Sequence, residues 1–125
     1  GENGATDKGG GICMDSSVLI RNTSINNNSS QNGGGLYIGN TATVHMWMES
    51  YINNNYAYNN GGGVYIGEKA GFLLTDNNIY QNNCDKNGTG VYVRGKFQMF
   101  SIASVDESNE VYLTRNTYIS IIEDC

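Results

Sequence analysis

The sequence predicts an all-β protein, a parallel β-helix (β-solenoid) of about four to five coils with three short strands in each. Three observations predict it. A glycine-led stretch recurs along the 125 residues: Gly9-Gly10-Gly11-Ile12, Gly33-Gly34-Gly35-Leu36-Tyr37-Ile38-Gly39, Gly61-Gly62-Gly63-Val64-Tyr65-Ile66-Gly67 and, worn, Gly88-Thr89-Gly90-Val91-Tyr92-Val93. A second pattern, Ile-x-x-Asn, runs in parallel at Ile25/Asn28, Ile52/Asn55 and Ile79/Asn82. Within each unit apolar residues alternate with the period of two that a strand requires, and no segment carries a helical period.

The repeat length follows from the markers. The first apolar residues after the glycine clusters are Ile12, Leu36, Val64, Val91 and then Val111, in steps of 24, 28, 27 and 20. Ile25, Ile52, Ile79 and Ile102 step by 27, 27 and 23, which puts Val105 where a fourth Asn would stand. One such unit cannot bury its inward residues alone. Stacked units pair strand on strand, roughly 4.8 Å apart, and bury a continuous column. Coils are expected to start near residues 9, 33, 61, 88 and 108 of a single segment, 1–125. The chain opens at Gly1 in a loop-like stretch, Gly1 to Lys8, as expected for a piece of a longer protein.

Each expected element has its reason. The first strand of a coil is Leu36-Tyr37-Ile38 and its equivalents, with residues one and three facing inward. Glycine at its entry permits a tight corner. The second strand is Ser17-Val18-Leu19-Ile20, Thr43 to Met48, Gly71 to Leu74, or Lys96 to Met99. In Thr43 to Met48 apolarity favours Val44, Met46 and Met48 inside, because a buried His45 needs a partner. The third strand carries the Ile of Ile-x-x-Asn. Asn28, Asn55 and Asn82 then fall above one another and are expected to form a structural amide ladder. The last coil, Val111 to Cys125, lacks both the glycine triplet and the Asn. Neither end shows a polar cap, so flanking coils or end-to-end copies are expected at open ends.

Composition narrows the function classes. Hydrophobic content is 38%, with 17 Gly, 19 Asn and no Pro. Twelve acidic against seven basic residues give a net charge of −5, so nucleic acid and anionic membrane are not expected partners. There is no apolar run of 18 residues, hence no membrane-spanning helix, and no signal-peptide pattern. Cys13, Cys84 and Cys125 are too few and scattered for a disulfide framework or zinc site, and their pairing stays open.

The coupling of Ile-x-x-Asn to Gly-Gly-Gly-(Ile/Leu/Val) resembles the repeat of polymorphic outer membrane proteins, which joins Phe-x-x-Asn to Gly-Gly-Ala-(Ile/Leu/Val). Ile25, Ile52 and Ile79 stand for the Phe, and Gly11, Gly35 and Gly63 for the Ala. Asn28, Asn55, Asn82 and Ile12, Leu36, Val64 match directly. The likeness covers about residues 9–93. It implies a right-handed parallel β-helix in an extracellular or cell-surface protein, usually an adhesin passenger. The family's membrane-translocating barrel has no counterpart here.

Candidate binding residues are Tyr37, Tyr65, Tyr92 and Tyr112, with Cys13 in the fifth place. Each lies between two inward residues, so they are expected to point outward in a row. Exposed aromatics suit sugar rings or a partner surface; the plainer reading is that they stabilise a sheet face. Polysaccharide cleavage needs paired carboxylates. Glu49 and Asp76, three residues before Ile52 and Ile79, are the nearest to a vertical pair, and a solvated face is the plainer reading. No catalytic residue or metal ligand is assigned, His45 being the lone histidine. No cofactor is expected beyond weak Ca2+ binding by turn oxygens. The reading is therefore a non-enzymatic adhesin or structural stalk, presenting turns and an aromatic row to a host-cell or matrix glycan or protein. Its rivals are a fragment of a polysaccharide-degrading enzyme and a self-assembling structural subunit.

Overall fold

The glycine-led stretches open successive coils. The structure is a computed structural model describing residues 9–76, 78–100 and 103–123. Coil 1 runs through β1 (Ile12–Met14), β2 (Val18–Arg21), β3 (Ser24–Asn26) and β4 (Ser29–Ser30). Coil 2 repeats this as β5 (Leu36–Ile38), β6 (Thr43–Trp47), β7 (Tyr51–Asn53) and β8 (Tyr56–Ala57). Coil 3 is β9 (Val64–Ile66), β10 (Gly71–Leu74), β11 (Asn78–Tyr80) and β12 (Asn83–Cys84). Coil 4 keeps β13 (Val91–Val93), β14 (Lys96–Phe100) and β15 (Ser104–Val105), and coil 5 keeps β16 (Val111–Leu113) and β17 (Ile119–Ile122).

Four parallel sheets result. The first is β1-β5-β9-β13-β16, the second β2-β6-β10-β14-β17, the third β3-β7-β11-β15 and the fourth β4-β8-β12. The fold is thus an all-β parallel β-helix, with three complete turns, a fourth lacking its last strand and a fifth of two strands. No helix occurs among the described residues. Each complete coil has four strands where three were expected. The extra strand is two residues long and lies in what reads as a polar turn. Its inward residues, Ser30 and Ala57, are small and buried, so no apolar alternation betrays it.

Registers are vertical. Ile12, Leu36, Val64, Val91 and Val111 pair in one row of the first sheet. Val18, Val44, Phe72, Phe97 and Ile119 form a row of the second, and Phe72 stacks on Phe97 at 5.8 Å between ring centroids. Like therefore covers like, and Leu36, Val44, Ile52, Val64 and Ile79 are wholly buried. Each such side chain contributes about 1.5–3 kcal/mol over exposure.

The glycine triplet divides into three jobs. Gly33, Gly61 and Gly88 hold positive φ (66°, 73° and 74°), which L side chains seldom adopt. Gly62 faces backbone: a Cβ there would lie 2.2 Å from the Asn83 oxygen and 2.5 Å from that of Thr89. Gly35 faces the amide ladder, since a Cβ would lie 2.8 Å from Asn55 Nδ2. The glycines and the asparagines of the repeat are therefore one device.

The ladder forms as expected and runs further. The backbone N–H and the side-chain Nδ2 of Asn28 both donate to Asn55 Oδ1 at 3.1 Å. Asn55 donates likewise to Asn82 Oδ1 at 3.0 Å. Asn82 donates to Asn109 Oδ1 at 3.2 and 2.9 Å. All four are buried. This corrects one expectation: Val105 does not hold the Asn place, which falls to Asn109 at the close of coil 4. Val105 pairs with Ile79 and takes the Ile place. The candidate marker Ile102 lies outside the described residues, as do Gly1 to Lys8 and Cys125.

In β6 the inward residues are Val44 and Met46, both wholly buried. Met48 departs from its expected place. It has φ +53°, Glu49 follows at +52°, and the two left-handed residues turn Met48 outward to 38% exposure. His45 and Trp47 lie half-buried on the outer face, where His45 Nε2 meets Thr75 Oγ1 at 2.6 Å.

Candidate functional site: the tyrosine row and its corner

The first sheet projects the residues between its inward pairs to the outside. Cys13, Tyr37, Tyr65, Tyr92 and Tyr112 are in direct register. The tyrosine rings stack with centroids 4.9, 5.2 and 5.4 Å apart and interplanar angles of 7°, 17° and 1°. Strand spacing sets this distance, so the coil repeat itself builds the stack. All four candidate residues are thus brought together on one face.

The stack changes what the row can offer. Each inner ring is covered on both faces by its neighbours, and Tyr65 is only 8% exposed. A sugar ring has no free aromatic face to lie on at Tyr65 or Tyr92. What the row presents is an edge of phenol groups. Tyr112, 38% exposed, lies on the last coil, where the stack ends among the described residues. Burial raises the Tyr92 phenol above its ordinary pKa, with the neighbouring Tyr65 and Tyr112 adding to it.

The row is bordered by the turns that lead from the first sheet to the second. Arg94 follows β13 and donates from Nη1 to the Tyr65 hydroxyl at 3.3 Å. Its Nη2 lies 3.7 Å from Glu68 Oε2, an exposed ion pair of small energetic weight. Tyr37, Gly39, Asn40, Gly67, Glu68, Lys69 and Arg94 line a shallow depression of about 200 Å³. A second depression, of about 250 Å³, lies one step along the same corner between Gly95, Lys96, Asn116, Thr117 and Tyr118. Two turns, Asn40–Thr43 and Glu68–Gly71, supply Asn40, Glu68 and Lys69 to the first depression. Arg94, Lys96 and Tyr118 were missed, because nothing marks them until the register sets coils 4 and 5 over coils 2 and 3.

The rival carboxylates behave as turn residues. Asp76 Oδ1 accepts the Met48 backbone N–H at 2.8 Å and so ties the end of β6 to the next coil. Glu49 is exposed in that same left-handed turn. Elsewhere, the Tyr56 hydroxyl donates to Asp85, and that bond chiefly pushes the Tyr56 pKa up to about 12. The Cys84 thiol is free, and burial pushes its pKa up. Among the described residues no group of three or more His, Cys, Asp or Glu side chains is placed to hold a metal ion. Glu2, Asp7 and Asp124 lie outside them. No helix among the described residues is long and apolar enough to cross a membrane. No family model, curated protein or solved structure matches the chain.

Proposed function

We propose that this β-helix is a stiff display segment of an extracellular or cell-surface protein, an adhesin or stalk that holds a fixed binding corner toward a glycan or protein partner. The observation that carries this reading is the continuity of the tyrosine stack with the depression beside it. Tyr37 and, through its hydroxyl, Tyr65 join a rigid row to a turn bearing Asn40, Glu68, Lys69 and Arg94. Amphipathic phenol edges beside mixed polar groups suit carbohydrate hydroxyls. Turns on a rigid scaffold are where binding residues concentrate. The resemblance of the repeat to polymorphic outer membrane proteins supports surface display and a right-handed coil.

The test is binding of the full chain to a glycan panel and to host-cell surfaces. Tyr37→Ala and Tyr112→Ala are each expected to weaken binding at least fivefold with the circular dichroism spectrum unchanged. Binding that both variants retain in full would sink the reading.

A second reading, self-assembly, has one observation in its favour. Leu113 and Ile121 occupy inward places yet are 40% and 58% exposed at the C-terminal face of the described coils. An uncovered core end of this kind favours a further coil or another copy stacked on it. Light scattering that grows with concentration supports it; a constant monomer mass rules it out.

A further inference from the structure

We propose that the corner between the first and second sheets is a binding strip for an acidic glycan, a chain of sugars bearing carboxylate or sulfate groups. This rests on the display reading above and names its ligand class. The chain is acidic overall, yet four of its seven basic residues, Lys69, Arg94, Lys96 and Arg115, gather at this corner. The register brings them there from separate coils. Lys69 and Arg94 line one depression and Lys96 the other. Thr114 donates to the Val93 oxygen at 3.1 Å, which sets the Arg115 turn against the Arg94 turn. The two depressions adjoin, because residues 94 to 96 run from one into the other.

The strip spans coils 2 to 5, three coil spacings or about 14 Å at roughly 4.8 Å each. It carries an aromatic side chain in each depression, Tyr37 in one and Tyr118 in the other. Tyr118 is 67% exposed, so it offers the ring surface that the stacked row withholds. The acids facing the strip are Glu68, already paired with Arg94, and Asp15, whose carboxylate lies beside Gly39. The local balance is positive but sparse. A polymer with charges spaced along a chain of hydroxylated rings fits it. A duplex, at about one charge per 1.7 Å, carries charge more densely than four cations spread over about 14 Å can match.

The experiment measures binding of the full chain to dextran sulfate, polygalacturonate and neutral dextran, with single-stranded DNA as competitor. The triple variant Lys69→Gln, Lys96→Gln, Arg115→Gln removes exposed charges only. We expect it to lose at least tenfold in affinity for one or both acidic polymers with an unchanged circular dichroism spectrum. We also expect wild-type binding to weaken with added salt and neutral dextran to bind no better than the variant. Equal affinity of wild type and variant overturns the strip, as does competition by DNA at matched charge. If the acidic polymers fail to bind while Tyr37→Ala and Tyr112→Ala still abolish binding to another glycan, the strip falls and the display reading stands. If no glycan or cell surface binds at all, both fall.

Discussion

Coils 2 and 3 stack the same residues as coils 4 and 5, but they close differently. Between Ile52 and Val64 the chain has room for the ladder Asn, a fourth strand and the glycine triplet. Between Val105 and Val111 only Asp106 to Glu110 intervene, and the fourth strand is gone. The consequence appears one coil earlier, at Thr89. Its counterparts Gly34 and Gly62 are held to glycine by carbonyl oxygens of the fourth strand, Tyr56 and Asn83, and of the neighbouring glycine stretch. Above Thr89 no fourth strand is described, and a side chain fits, its hydroxyl accepting the Glu110 N–H at 2.7 Å. The wear in the repeat is thus a report on the missing strand, while the ladder Asn, which the core cannot spare, persists at Asn109.

This contrast is open to direct attack. The largest effect is expected at the second glycine. Gly62→Ala drives a Cβ into backbone on two sides and is expected to cost about 3 kcal/mol or more, whereas Thr89→Ala, at the same place one coil on, should stay within about 1 kcal/mol. Urea denaturation midpoints compare them, and similar losses at both sites would refute the account of Thr89. Next is the ladder. Asn55→Ala removes the acceptor shared by two Asn28 N–H groups and is expected to cost about 3 kcal/mol. Asn109→Ala should cost about half of that, since Asn82 Nδ2 keeps the Ile52 and Tyr80 oxygens at 2.9 and 3.1 Å.

In the apolar column the contrast shrinks further. Ile66→Val, in a fully buried place, is expected to cost about 1 kcal/mol, and Leu113→Val, on the exposed end, less than about 0.5 kcal/mol. The smallest effect is confined to the fourth sheet. The Tyr56 phenol is held at about 12 against an ordinary 10.0, so its neutral form is favoured in the folded chain. That contribution is complete below pH 10 and is lost as pH rises toward 12. Ultraviolet titration should show one tyrosine moving back toward its ordinary range in Asp85→Asn; an unchanged titration curve would show that Asp85 is not the cause.

Much of this was legible in the chain. Period-two runs and glycine-led repeats pointed to the stacked strands, because inward Ile, Val and Leu recur wherever a coil must be filled. Asn28, Asn55 and Asn82 could be read as a ladder because a buried amide at a fixed interval needs a partner at that interval. Counting another 27 residues reaches Asn109, but the marker Ile102 obscured it, since it resembles Ile79 in type while Val105 holds the position. The fourth strand was hidden because its inward residues are small and its pairing is made by backbone. A second row of amides was hidden too: Asn60 donates its N–H to Asn32 Oδ1 at 3.3 Å, and Asn87 to Asn60 Oδ1 at 3.1 Å. These residues read as ordinary turn asparagines. The tyrosine row was visible as a pattern, but that its rings blanket one another follows only from their measured separation.

The last amide of the ladder has a bearing on how the rod meets anything set against that end. Asn109 Nδ2 turns back to the Asn82 and Ser108 oxygens at 2.9 and 3.0 Å rather than reaching onward. The polar seam is therefore knotted off, while the oily seam beside it, at Leu113 and Ile121, is left ragged. A coil or second copy set against that end would meet exposed apolar side chains and the open edges of two strands, but no onward ladder amide.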